Sequence, residues 1–356
     1  VCVRGNAMKI DALMLREYLR QGHALPAPDR PREFEGGYTD IFVEGVVRNV
    51  HHGDIRSLYP SLMLSRGLAP RTDELGVFLK LLDLLRKVRV AAKEKMAVSS
   101  SASEKTHYEA MQATFKVLIN SFYGYLGFSQ ARFSDFGAAE KVTAEGRALL
   151  GAMIAWLREH GATPVEIDTD GIYFVPPDKS GRDMEAFRKA FAQSLPRGIE
   201  IEFDGEYVSM YSYKMKNYAL LAASGDIVIK GAALKSRGLE PFQRAFLREL
   251  IRLKLEERDK EIPALKARYE KAIREREWPI GELAKTATLQ DAPATYRDKI
   301  AGSKRARSAV YELALASGRD YRAGDQLSYY VTGDKKSVAV HEKARLVSQW
   351  DPKKRD

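Results

Sequence analysis

Cysteine is nearly absent. Cys2 is the single one in 356 residues, so a disulfide framework and a thiolate zinc site are excluded within one chain. Histidine is also scarce, six in all, and the adjacent His51 and His52 have no further His or Cys at ligand spacing. Such a pair reads as surface or packing rather than as a metal centre. No apolar run approaches the roughly 20 residues that a membrane-spanning helix needs. No secretory signal and no internal repeat is visible. The expected setting is cytoplasmic, nucleoid-associated if the source is prokaryotic, with no membrane partner. Val1 is not an initiator methionine, which leaves room for a removed N-terminal part.

Hydrophobic residues make up 45% and charged residues 30% of the chain, enough for a sizeable core and two or three domains. The net charge is +10, and it is uneven. Residues 236–356 hold 27 Lys/Arg against 19 Asp/Glu, which is +8 of the total. A basic lobe suggests a polyanionic partner, although a well-solvated surface has the same composition.

The chemistry centres on Val165-Glu166-Ile167-Asp168-Thr169-Asp170-Gly171-Ile172-Tyr173-Phe174. Two β-prone runs flank an acidic core, which predicts a hairpin with Asp168 and Asp170 at its tip. Alternation along a strand lets both carboxylates point to one side. Two carboxylates side by side call for a hard cation such as Mg²⁺ or Mn²⁺. From this segment alone, an Asp/Gly turn closing an ordinary hairpin is an equal reading. Asp54, after a predicted strand over 41–50, is the candidate third carboxylate.

A helix is predicted over 72–96, with Thr72 and Asp73 as N-cap candidates, and a second over 104–123, stopping near Gly124 and Gly127. A serine-rich tip joins them into an antiparallel pair. Lys116, Asn120 and Tyr123 share a face at spacings of 4 and 3. With Arg89 and Lys93 opposite, they would form a cationic surface suited to a triphosphate; the alternative is a solvated charged stripe. Further helices are predicted over 138–160 and 183–195, with strands over 199–203 and 207–213, giving an α+β core. From 238 onward the pattern is mainly helical, with helices over 241–260 and 262–276 and a basic patch at Lys299, Lys304, Arg305 and Arg307.

Four motifs stand in order. Asp54-Ile55-Arg56-Ser57-Leu58-Tyr59-Pro60-Ser61 resembles the first catalytic motif of family B DNA polymerases. Lys116-Val117-Leu118-Ile119-Asn120-Ser121-Phe122-Tyr123-Gly124 resembles the second, Asp168-Thr169-Asp170 the third, and Lys216-Asn217-Tyr218 the family's Lys-x-Tyr element. The resemblance spans nearly the whole chain. It implies a right-hand architecture: a palm with an antiparallel sheet from 1–70 and 125–235, helical-hairpin fingers from 71–124, and a mainly helical thumb from 236–356. Gly324 and Tyr329 stand in a stretch similar to the thumb's Gly-Asp-x-x-x-Tyr pattern.

It also implies an activity, DNA-directed DNA synthesis from dNTPs on primer-template DNA. Two Mg²⁺ ions, with Mn²⁺ as substitute, would be held by Asp54, Asp170 and the Ile55 carbonyl, with Asp168 in a lesser role. Lys116, Arg89 and Lys93 would bind the triphosphate, helped by the amides near Ser57 and Leu58, and Lys116 would protonate pyrophosphate. Tyr59 would exclude a 2′-hydroxyl. Asn120 and Tyr123 would pack at the nascent base pair, where Gly124 admits close approach. Lys216 and Tyr218 would hold the primer end, and Gly36 and Gly37 the template. Accessory replication or repair proteins stay undefined.

The chain departs from the family pattern at Gly171, where Ser usually follows the second aspartate. Only 53 residues precede Asp54, so no proofreading exonuclease domain is expected in this chain, and Lys116 follows Asp54 by 62 positions. A catalytically inactive polymerase-like DNA-binding subunit is the alternative; the intact carboxylates weigh against it. A reverse transcriptase, which usually has two adjacent aspartates at the hairpin, fits less well, since Thr169 separates them here.

Overall fold

The computed structural model describes residues 5–177, 183–235, 238–302, 306–333 and 335–352. Cys2, Lys304, Arg305 and the tail from 353 lie outside the described residues. The chain divides into two compact units, Val1–Val208 and Ser209–Asp356.

Unit 1 begins with helix α1 (Asn6–Arg20), whose Ile10, Met14 and Tyr18 recur at helical spacing and are buried. Strands β1 (Thr39–Ile41) and β2 (Gly45–Ile55) follow, then α2 (Leu58–Arg66), α3 (Val77–Val98), α4 (Ala102–Leu126) and α5 (Phe136–Glu159). The hairpin β3 (Thr163–Asp168) and β4 (Gly171–Val175) comes next, then α6 (Met184–Ser194) and β5 (Ile201–Lys214). Within β5 the chain passes into unit 2. The strand order in unit 1 is β1-β3-β4-β2-β5, with β1, β3, β4 and β2 pairing antiparallel.

Two cores hold unit 1. Ile167, Ile172 and Phe174 of the sheet pack with Leu150, Met153 and Leu157 of α5 and Phe191 of α6. The second core joins α1 to the α3–α4 pair through Met14, Tyr18, Phe78, Leu82, Phe122 and Tyr125. Each such fully buried side chain contributes roughly 1.5–3 kcal/mol relative to exposure.

The α+β expectation agrees with these elements, but several boundaries move for identifiable reasons. Asp54 lies inside β2, not after it, because pairing with β4 continues to Asp54 opposite Gly171. Helix α3 starts at Val77 rather than 72, after a turn in which the Gly76 amide donates to the Asp73 carbonyl (3.0 Å). Asp73 still caps it, from upstream, accepting from the amides of Val77 (3.0 Å) and Phe78 (2.7 Å). Helix α4 continues through Gly124 because Phe122, Tyr125 and Leu126 are all buried in the core. The two strands expected over 199–213 are one, β5; the acids between them are engaged by side chains, His52 on Asp204 and Arg188 on Glu206.

Unit 2 holds the rest of β5, then β6 (Asn217–Ala222) and β7 (Ile227–Lys230), which pair antiparallel. Helices α7 (Ala232–Lys235) and α8 (Pro241–Leu255) follow, a 3₁₀ turn at Asp259–Glu261, and α9 (Ile262–Arg274). Beyond them come β8 (Lys285–Thr288), α10 (Pro293–Ala301), α11 (Ala309–Ala316), β9 (Gln326–Val331), α12 (Val340–Lys343) and β10 (Ala344–Leu346). The region expected to be mainly helical thus includes a three-stranded sheet, β10-β9-β8. It is joined where the Leu289 amide donates to Asp325 O and the Gly324 amide, with Gly324 at φ +97°, donates to Leu289 O. Among the described residues, no helix is long and apolar enough to cross a membrane.

Asp73 is buried and accepts a third bond from the Tyr18 hydroxyl (2.8 Å). Asp73→Ala would leave that hydroxyl and two helix-terminal amides without their acceptor. Urea unfolding followed by circular dichroism is expected to read a loss of about 3 kcal/mol.

Candidate active site

Strand pairing builds the site. Asp54 on β2 stands opposite Gly171 on β4, and Asp168 ends β3 opposite the same glycine. The Ile55 amide donates to the Asp170 carbonyl (2.8 Å), which ties the end of β2 to the hairpin tip. In the tip, the Asp170 amide donates back to Asp168 O (2.8 Å) around Thr169 at φ +69°. A β-branched residue in the left-handed region is strained, and such strain gathers at functional sites. Ser57, at φ +52°, is another non-glycine residue in that region and stands at the N-cap of α2, just before Leu58.

The carboxylates crowd one another. Burial, then Asp170 and Asp204, push the Asp54 carboxyl up to about 7, with Lys116 opposing. Asp170 is raised as well, first by the protein packed around its base and then by Asp168; its own backbone amide, His52 and Lys116 pull it down. Its outer edge remains in solvent at the tip. Lys116 on α4 therefore acts on both acids. Among the described residues, no three His, Cys, Asp or Glu side chains converge closely enough to hold an ion by themselves. The donor set is two facing carboxylates with a deficit of positive charge. That fits Mg²⁺, which is usually bound through one or two carboxylates with substrate phosphates and water completing the shell.

A row of acids running into β5, from Glu200 just before the strand to Glu206 within it, was missed by sequence reasoning. Arg56 reaches Glu200 (2.5 Å) and Glu202 (2.8 Å), while His52 Nδ1 reaches Asp204 (2.5 Å). Asp54 lies between Arg56 and His52 and feels both Asp204 and Glu202. The signal was present as acids at every second position, Glu200, Glu202, Asp204 and Glu206, the period that aligns side chains on one strand face.

Around this centre the other candidate residues fall into groups. Arg89 and Lys93 of α3 line a cavity of about 220 Å³ with Arg56, Ser57, Ser61 and Arg86. Arg89 Nε is buried without a hydrogen-bond partner, and burial, then Arg56, holds its guanidinium below the ordinary range. Lys116 is not among that cavity's lining residues. Leu58 is the first residue of α2, and its side chain is buried. Tyr59 packs on Tyr123 with ring centroids 4.5 Å apart. The Tyr59 hydroxyl fills the space that any side chain at Gly37 would need. Arg147 of α5 holds the glycine segment by donating to Glu35 O (3.0 Å) and Gly36 O (2.6 Å). Side chains at Gly36 or Gly124 would meet open space, and Asn120 is exposed.

Unit 2 carries the remaining pair. Lys216 is exposed in the turn between β5 and β6 at φ +61°. Tyr218, on β6 opposite Lys230, is buried.

A family model described as DNA polymerase family B matches residues 65–353. Among curated relatives, DNA polymerase 1 of Pyrococcus abyssi (strain GE5 / Orsay) is 30% identical over 257 residues, covering 63% of this chain and 33% of that protein. The DNA polymerase of Thermococcus sp. (strain 9oN-7) is 28% identical over 371 residues, covering 92% of this chain and 46% of the relative. In fold, the chain is similar to the family B DNA polymerase structure from Pyrobaculum calidifontis, with a TM-score of 0.65 at 23% identity, covering 98% of this chain and 48% of that one. The chain thus spans a third to a half of the length of these relatives.

The Asp54 carboxyl gives a pH test. Folded protein keeps this proton up to about pH 7, whereas an unfolded chain releases it near the ordinary aspartate value of 3.8. The folded state binds more protons across that window, so stability present at low pH is lost as pH rises through it. In buffer with chelator, Asp54→Asn is expected to melt above the parent at pH 8, and the difference to shrink toward pH 4. A melting difference independent of pH would contradict the crowding.

Proposed function

The chain belongs to DNA polymerase family B, and we propose that it extends a primer on a DNA template by transferring nucleotides from dNTPs to the 3′-hydroxyl. The observation that carries this reading is the pair Asp54 and Asp170 at the paired ends of β2 and the hairpin, with Lys116 acting on both and too little positive charge between them. Asp54 and Asp170 would hold two divalent cations, Mg²⁺ or Mn²⁺, with the Ile55 carbonyl completing the shell and Asp168 tuning the charge. When bound, such ions lower the pKa of the attacking hydroxyl and offset charge on the leaving pyrophosphate.

The chain's own groups do the rest. Arg89, with an unpartnered buried Nε, and Lys93 would bind triphosphate oxygens, together with the backbone amides of Ser57 and Leu58 at the start of α2. Lys116 would pair with the triphosphate and deliver a proton to the departing pyrophosphate. Tyr59, backed by Tyr123 and Gly37, would fill the volume beneath the sugar and reject a 2′-hydroxyl. Tyr123, Asn120 and Gly124 would border the new base pair. Gly36 and Gly37, fixed by Arg147, would approach the template, and Lys216 and Tyr218 the primer end. In this reading 1–70 and 125–235 serve as palm, 71–124 as fingers and the basic 236–356 as thumb.

Primer extension with Mg²⁺ tests the core of the proposal. Asp54→Ala and Asp170→Ala are each expected to lose at least about a thousandfold in rate. Retention of parental rates would sink the assignment, and tight primer-template binding with no incorporation would favour a non-enzymatic subunit. Tyr59→Ala is expected to admit ribonucleotides, read as a fall in the dNTP-to-rNTP ratio of kcat/KM. With about 6 phosphates contacted, DNA affinity should fall roughly a thousandfold between about 50 mM and about 200 mM salt. A flat response would contradict binding through the basic lobe.

A further inference from the structure

Position 171 is a glycine for a reason that lies on the neighbouring strand. A Cβ built on Gly171 would stand 2.5 Å from His52 Nε2, 3.2 Å from His52 Cε1 and 3.4 Å from Asp54 Oδ1. The first distance is far inside van der Waals contact. The space is filled, and an imidazole fills it. The register explains how: His52 stands opposite Tyr173 and Asp54 opposite Gly171, so His52 and Gly171 are diagonal neighbours on one sheet face.

The ring is fixed on two further sides. It stacks on Tyr173 with centroids 4.2 Å apart and planes at 26°. Its Nδ1 lies 2.5 Å from Asp204 Oδ1. A carboxylate only accepts, so Nδ1 carries the donated proton. That bond turns the opposite edge, Cε1 and Nε2, over Gly171 and toward Asp54. His52 is 14% exposed in its side chain, against 56% for Asp204. A covered ring stacked on one face and tethered at one nitrogen has little rotamer freedom left.

We infer that His52, oriented by Asp204, is a positioning residue that takes the place of a side chain at 171 and holds the end of β4 so that Asp54 and Asp170 keep their facing geometry. Positions 52 and 171 are then a coupled pair in which only one can be large. This rests on the polymerase reading for its catalytic consequence, but the coupling itself does not.

The test is a double-mutant cycle of His52→Ala, Gly171→Ser and the two together, read three ways: melting temperature without metal, Mn²⁺ binding by electron paramagnetic resonance, and single-nucleotide incorporation with Mg²⁺. Gly171→Ser in the parent is expected to melt roughly 5 °C lower and to lose roughly thirtyfold in kcat, with KM for the nucleotide little changed. In the His52→Ala background the same serine should cost less than about threefold. His52→Ala alone should weaken Mn²⁺ binding roughly fivefold, because the carboxylates lose their fixed separation. Asp204→Asn, which frees the ring without removing it, should act in the same direction, and Asp204→Glu should restore most of the loss. Equal costs of Gly171→Ser in both backgrounds would overturn the inference. So would coupling confined to melting temperature, with kcat and Mn²⁺ affinity at parental values, because that would make the ring a packing element only. If the parent itself incorporates no nucleotide, the melting and Mn²⁺ cycles still read the coupling, so failure of the polymerase reading and failure of this one are distinguishable.

Discussion

Like charges held close together are what the rest of unit 1 has to support. Asp54, Asp168 and Asp170 sit where a hairpin tip meets the end of a strand, and the β5 acids border them on the other side. Left to themselves, such carboxylates would separate or take up protons. They are kept in place by backbone pairing through β2 and β4, by the Ile55 amide on Asp170, and by two cores that fix the sheet and α4. Burial first, and then this crowding by Asp170 and Asp204, raise the Asp54 carboxyl.

The neighbouring groups relieve the crowding at particular points. Arg56 takes Glu200 and Glu202, His52 takes Asp204, and Lys116 acts on Asp54 and Asp170 from α4. Relief is incomplete at Asp54 alone in the β2 row, between a paired arginine and a paired histidine. A cavity with an unpartnered buried guanidinium nitrogen lies beside the start of α2. One part of the site is short of cations and another is short of anions. A metal-bound triphosphate carries both, which is why the two imbalances support a single proposed substrate complex.

Glycine matters here where another side chain has already occupied its space. At Gly37 the occupant is the Tyr59 hydroxyl, and at Gly171 it is the His52 imidazole. Gly36 and Gly124 have open space around a notional Cβ, so sterics alone do not require glycine there. Four glycines that look alike in motifs therefore differ in what substitution would cost.

Local pattern was enough for much of this chain. The hairpin at Asp168–Gly171, the α3–α4 pair and the family resemblance were legible because β-propensity, helical spacing and short motifs are properties of neighbouring residues. The basic character of 236–356 was legible from counting. The continuity of β5, the sheet in unit 2 and the upstream cap from Asp73 were not, since each depends on partners distant in the chain. The surroundings of His52 were not legible for the same reason: the sequence offered only packing beside His51, and it is the pairing of β2 with β4 and β5 that brings the ring against Gly171, Tyr173 and Asp204. The sequence by itself determined which acids and cations are available and on which elements they lie. Tertiary structure decided which of them share one sheet face, because register, set by pairing between distant strands, converts alternation along a chain into contact across it.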